Sequence, residues 1–270
     1  MKKKYLILIS FLSLLTVFVY SQDASVITIG FEGGSGFITG KQNDKWNIRQ
    51  DVATSYYDYG YNYHSGNNSV SSEMNLYYFG IKPAIYFPKY NINISAGLRF
   101  TQSNCYLNKS SNSDESYFFL RYNESGTNTE YFKVKGINEN INYLGIPLEI
   151  TLTPFHFDVV NLYAKVGAEI NLKLNSQTDI NFSNENMKIY KQDVLSRVGT
   201  STNLIYSSGY AAVGIRFGRV TGVKYNFEVT LPARILSSNN SSLVVPEYYS
   251  GFQFSVQIPI NKAKESKNKE

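Results

Sequence analysis

The residues able to do chemistry are few: two histidines, one cysteine and carboxylates scattered along a chain of 270 residues. His64, within Tyr61-Asn-Tyr-His-Ser-Gly66, stands beside Ser65 and could act as base to a nucleophile. Neighbours on an extended chain point to opposite sides, however, and no acid partner has a fixed place near this pair. His156, in Thr153-Pro-Phe-His-Phe-Asp158, has an aromatic on either side and suits an interfacial aromatic belt better than a proton relay. Two histidines this far apart make no metal site. Cys105 is the only cysteine, so an intramolecular disulfide and a CxxC site are both excluded. The expectation is a protein without a catalytic centre, cofactor or metal.

Binding chemistry is better represented. Tyr56, Tyr57, Tyr59, Tyr61 and Tyr63 crowd a single polar stretch with Asp58 and Asn62 between them. Exposed tyrosines offer flat apolar area and a hydroxyl at low entropic cost, which fits a glycan or protein partner. The alternative is that these rings cover one another where two strands continue above a surface. Tyr117-Phe-Phe-Leu-Arg-Tyr122 admits the same two readings, as a contact surface or a packed plug.

A third set is defined by alternation. In the run from Tyr90 to Thr101, Ile92, Ile94, Ala96, Leu98 and Phe100 share one face, with Asn93, Ser95, Gly97 and Arg99 on the other. The same period of two recurs from Leu162 to Lys173, Val223 to Leu231 and Phe252 to Ile260, and less sharply over 24 to 38, 75 to 87, 140 to 153 and 208 to 218. Such runs are strands whose two faces meet different environments, and there are eight of them. Their polar faces carry Glu32, Lys82, Arg99, Glu149, Lys165, Glu169, Lys173, Arg216, Lys224, Glu228 and Arg234, together with Gly97, Gly145, Gly167 and Gly214. Mixed charges among small residues suit a narrow, cross-linked interior; a solvated exterior carries more charge and fewer glycines. The pairing expected is of Lys165, Glu169 and Lys173 with Arg216, Lys224 and Glu228.

The elements that must position these residues follow from composition and loop length. With 43% apolar, 17% charged and 15% aromatic residues, including 23 Tyr and 17 Phe against one Trp, the chain is neither disordered nor a helical bundle. Its net charge of +5 lies in the ends: residues 22 to 261 balance 19 basic against 19 acidic side chains, leaving no nucleic-acid footprint. Residues 1–21 have a lysine-rich start, an apolar run and Ser21 before Gln22, and read as a signal peptide for export. No later stretch could form a transmembrane helix, so a membrane-spanning form must be a barrel. Long polar connections alternate with tight turns near Pro88-Lys89, Pro154–Asp158 and Gly218–Gly222. That asymmetry of long extracellular loops and short periplasmic turns, with an even strand count, predicts an all-β, eight-stranded antiparallel transmembrane β-barrel over residues 22–261, followed by a charged tail at 262–270.

At Ile29-Gly-Phe-Glu-Gly-Gly34, Ile94–Phe100, Asn142–Ile150, Leu162–Ile170 and Tyr210–Phe217 the chain resembles the outer-membrane β-barrel domain family of Gram-negative bacteria, of the PorT-like or OMP_b-brl type. The Tyr143-Leu-Gly-Ile-Pro-Leu148 element is the most specific part of the likeness. The resemblance implies a place in the outer membrane among its lipids and, from some relatives, a partner protein in an envelope or secretion assembly. It departs at the charged tail, since such barrels often end on an aromatic, and Phe252–Ile260 must then serve as the closing strand. The function expected is structural or interactive, through loops or periplasmic rim. A porin-like diffusion channel for small solutes is the alternative, and a lipid-modifying barrel enzyme survives only through His64.

Overall fold

The computed structural model describes residues 25–48, 70–109, 117–125, 128–157, 159–200, 202–219, 222–235 and 240–260. The expected signal peptide and charged tail, His64 and the tyrosine segment 56–63 lie outside these described residues.

The strands are β1 (Val26–Gln42), β2 (Val70–Phe87), β3 (Ile92–Ala96), β4 (Leu98–Lys109), β5 (Phe118–Ser125), β6 (Asn128–Phe157), β7 (Val160–Phe182), β8 (Ile205–Phe217), β9 (Lys224–Ile235) and β10 (Val244–Pro259). All pairings are antiparallel, and β1 pairs with both β2 and β10, so the sheet closes on itself. β3 and β4 form one barrel strand in two pieces, and β5 lies outside the ring, paired with β6 and bridged at Leu120 to Ile48, leaving an eight-stranded barrel. Between β7 and β8 lies an α-helix, α1 (Lys191–Val198).

The short-turn end is tight. A 3-10 turn over Pro88–Tyr90 passes through Asn91, held left-handed at φ 54°, before β3 begins; Tyr90 therefore belongs to the turn and not to the strand expected for it. β6 runs straight through Pro154 to Phe157, and its strand resumes at Val160, so the expected turn at Pro154–Asp158 is shorter than its sequence suggested.

Outward positions along the middle of the barrel are apolar and exposed. Phe79, Ile81 and Leu98 continue around the circumference into Leu144, Ile146, Leu148, Ile150 and Leu152, then Leu162, Val166 and Ile170, and on through Tyr225, Phe227, Phe252 and Phe254. At about 3.3 Å per residue and a tilt near 40°, the stretch from Leu144 to Phe155 rises roughly 28 Å. That matches the hydrocarbon thickness of a bilayer, about 30 Å. A belt of this height around a closed sheet satisfies every backbone group without water, and the fold is a transmembrane β-barrel.

Above the belt, on the long-loop side, the same strands exchange their faces. Outward positions become polar (Asn75, Asn104, Asn140, Asn142, Asp179), and inward positions become apolar (Met74, Leu76, Cys105, Leu107, Ile137, Ile141, Ile180, Phe182). This upper chamber is packed like the interior of a soluble protein. Trp46 and Leu243 are fully buried in it alongside Leu120, Val134 and Val194, contributed by the first loop, the loop before β10, β5, β6 and α1. Each fully buried large apolar side chain contributes about 1.5–3 kcal/mol. The strand runs seen in sequence stop where the faces exchange, which is why β6 and β7 are much longer than the runs 140 to 153 and 162 to 173.

Candidate functional site: the filled lumen

Eight strands enclose an interior that side chains alone can fill. The filling here is layered, beginning with a cross-linked set of charges at mid-barrel. Lys82 Nζ lies 2.5 Å from both Glu32 Oε2 and Glu149 Oε2. Arg99 reaches Glu32 at 2.6 Å, Glu169 at 2.5 Å and Glu149 at 3.5 Å. Lys165 pairs with Glu149 at 3.2 Å and with Glu228. Register explains the meeting. Glu32 and Gly80 are cross-strand partners, as are Gly80 and Arg99, so two long side chains converge over a residue that has none. A Cβ at Gly80 would lie 3.1 Å from Glu32 Oε1.

Four carboxylates face three cations in this layer, and neutral donors complete it. Tyr210 donates its hydroxyl to Glu149 at 2.6 Å, Ser95 donates to Glu149 at 3.3 Å, and Gln253 Nε2 donates to Glu228 at 2.8 Å. All seven charged residues are buried. Ions taken out of water this completely are tolerated only when paired and hydrogen-bonded, as these are.

Tyrosines form the next layer upward. Tyr78 lies against Gly34, Tyr249 against Gly36 and Tyr210 against Gly167, each ring occupying the space that a neighbouring-strand side chain would need; below the ions, Tyr163 lies against Gly214 in the same way. The Arg99 guanidinium stacks 4.5 Å over the Tyr78 ring. A small cavity of about 40 Å³ remains among Tyr78, Tyr206, Tyr210, Tyr249, Arg99 and Glu169.

The lid over this layer is the segment 240–244, in which every residue is buried. Tyr143 donates its hydroxyl to Asn240 O at 2.6 Å, and the Trp46 indole donates to Ser242 O at 2.9 Å. Glu139, fully buried, accepts from the Ser241 hydroxyl at 2.6 Å and the Ser242 amide at 2.8 Å. Ser241 Oγ in turn accepts from the amides of Leu243 and Val244 at 3.1 and 3.2 Å. A polar loop enters an apolar chamber because its backbone groups find these partners inside it. Cys105 shares this chamber, above the belt. Burial foremost, with the Glu139 charge added, pushes its thiol up to about 12.

Placement of the charged residues expected from sequence departs from the expected pairing in three respects. Glu169 pairs with Arg99 across the barrel and not with β8 or β9. Lys173 stands above the ionic layer and donates to Thr202 O and Oγ1 at 2.8 and 2.7 Å, because its strand has climbed past the charges by that point. Among the described residues Arg216 and Lys224 reach no carboxylate; Arg216 donates to Asn226 Oδ1 at 2.7 Å and lies over Tyr163, and Lys224 lies over Tyr86. The Arg234 side chain is outside the described residues, although its backbone pairs with Tyr248. Sequence reasoning missed Glu139, Trp46 and the 240–244 lid. Ile137-Asn-Glu-Asn-Ile141 held the signal, since alternation sets Glu139 on the same face as two isoleucines.

No protein-family model matches the chain, and no curated protein does. Among solved structures, the chain is similar to the outer membrane protein OprG from Pseudomonas aeruginosa, with 10% identity, a TM-score of 0.39, and 87% of this chain and 94% of that chain covered. It is similar also to Ail, the attachment invasion locus protein of Yersinia pestis in complex with the heparin analogue sucrose octasulfate, with 10% identity, a TM-score of 0.31 and 87% and 96% covered. The transport unit of the autotransporter AIDA-I from Escherichia coli matches at 9% identity and a TM-score of 0.30, with 88% and 92% covered.

Proposed function

We propose that the chain is an exported outer-membrane protein that works by contact, as a structural or interaction component, and neither conducts solutes nor performs catalysis. The observation carrying this reading is the double closure of the lumen, by the ionic layer around Arg99 and by the apolar chamber under the 240–244 lid. With lipid against the belt and side chains filling the bore, the two rims are the surfaces left for specificity. On the PorT-like resemblance, the partner is another protein of an envelope or secretion assembly. The tyrosine segment 56–63 is the candidate contact on the long-loop side, and its rings would recognise a partner by stacking and hydrogen bonding.

The test is electrical. Purified full-length protein reconstituted into planar bilayers should show no steady conductance above the bare membrane. Large, steady single-channel currents would overturn this reading in favour of a diffusion channel.

A further inference from the structure

Below the ionic layer, at the end of the barrel that carries the short turns, two cations lie inside the lumen with no carboxylate partner among the described residues. Arg216 on β8 pairs in register with Asn226 on β9, and Lys224 follows two residues away on the same inward face. The two are therefore diagonal neighbours on adjacent strands, about 7–8 Å apart at the backbone and somewhat less at Cβ. Lys224 is 3% exposed and Arg216 5%. Arg216 uses one nitrogen on Asn226 Oδ1 at 2.7 Å, and its plane rests 4.9 Å from the Tyr163 ring centre. Lys224 Nζ has only the face of Tyr86, 5.0 Å from the ring centre. An ammonium with no hydrogen-bond acceptor, beside a guanidinium and shielded from water, is the arrangement that folded proteins avoid unless something negative completes it.

The surroundings favour an anion of a particular kind. Gln257, the register partner of Lys224, brings a buried amide to the same level. Two buried cations at diagonal inward positions, with a neutral amide beside them, suit a tetrahedral or planar oxyanion that accepts from both at about 2.8 Å. A lipid headgroup cannot be the source, because its acyl chains would have to follow it into a bore that side chains already fill. We infer that the short-turn mouth of this barrel is a binding site for a small free oxyanion, held between Arg216 and Lys224.

Inorganic phosphate is the probe. Full-length protein in detergent micelles is titrated with sodium phosphate at an ionic strength held constant with sodium chloride, and the temperature of the heat-modifiable gel shift is followed. The wild-type midpoint should rise saturably, and Lys224→Arg should behave likewise. Lys224→Gln and Arg216→Gln should each need at least tenfold more phosphate for the same rise. Without phosphate, Lys224→Gln should unfold no earlier than wild type, since it removes an unpaired buried charge; this separates a ligand role from a structural one. The proposal is overturned if phosphate and chloride stabilise the wild type equally, if both glutamine variants keep the wild-type phosphate response, or if Lys224→Gln loses stability to the same extent at every phosphate concentration.

Discussion

The carboxylate of Glu139 accepts the Ser241 hydroxyl at 2.6 Å across 102 residues of sequence, fastening a loop to the inner wall of the barrel. Glu139→Ala removes the acceptor for both Ser241 and the Ser242 amide and leaves those donors buried. The cost expected is about 2–4 kcal/mol. Hydrogen exchange at the amides of Ser242 and Val244 should accelerate by orders of magnitude, while the strand amides of the membrane belt keep their protection. Equal acceleration throughout would mean that the lid and the barrel are one cooperative unit.

Arg99 is the hub of the ionic layer, touching three of its four carboxylates. Arg99→Gln should destabilise the barrel by about 3–5 kcal/mol, the range for a buried ion pair broken from one side. Replacing Arg99 and Glu169 together should recover part of that loss in a double-mutant cycle measured by urea unfolding in micelles. Strictly additive effects would show that the two side chains do not interact.

Gly33 and Gly34 offer a test of facing within one strand. Gly34 points inward, where an added Cβ would meet the Tyr78 hydroxyl and lie 2.5 Å from Phe252 O. Gly34→Ala should therefore cost about 1–3 kcal/mol through overpacking. Gly33 points to lipid, with Tyr78 O its nearest neighbour at 3.6 Å. Gly33→Ala should change stability by no more than about 0.5 kcal/mol. The same unfolding assay reads both, and a reversed order would place β1 in the wrong register.

Cys105 is fully buried, and its thiol is raised from an ordinary 9.0 to about 12. Iodoacetamide should leave it untouched in folded protein and modify it fully in denaturant. Between pH 9 and about 12 the unfolded chain releases this proton while the folded chain holds it, so stability falls as pH rises. Cys105→Ala should flatten that part of the stability profile relative to wild type. An unchanged slope would remove the thiol from the account.

Much of the barrel was legible because a period of two is a local property, visible wherever one face of a strand meets lipid and the other does not. Phe79 and Ile81 against Gly80 and Lys82, or Leu162 to Leu172 against Lys165 and Glu169, declare their faces from neighbouring residues alone. The partners of those charges were not legible. Arg99 meets Glu169 because of strand tilt and stagger around a closed sheet, and neither quantity is written in either strand. The upper chamber was hidden for a different reason. Where outward Leu144 gives way to outward Asn142, and inward Gly145 to inward Ile141, the alternation changes sign and reads as the end of a strand, although the backbone continues. Asn240-Ser241-Ser242 has the composition of a solvated loop, and only the buried Glu139 and Trp46 turn it inward.

The exchange of faces along single strands also fixes a waterline. Raising the barrel by one residue pair would lift Leu144 and Phe100 into water; lowering it would press Asn142 and Gln102 into hydrocarbon. Both displacements are opposed around much of the circumference, so the protein holds its draught instead of floating freely along its axis. In a bilayer thicker than the belt the lipid must thin to meet it, at a cost of fractions of a kcal/mol per Å. A rim held at constant height above the surface presents any docking partner with a fixed standoff, set by the residues that face lipid and independent of the loops that face the partner.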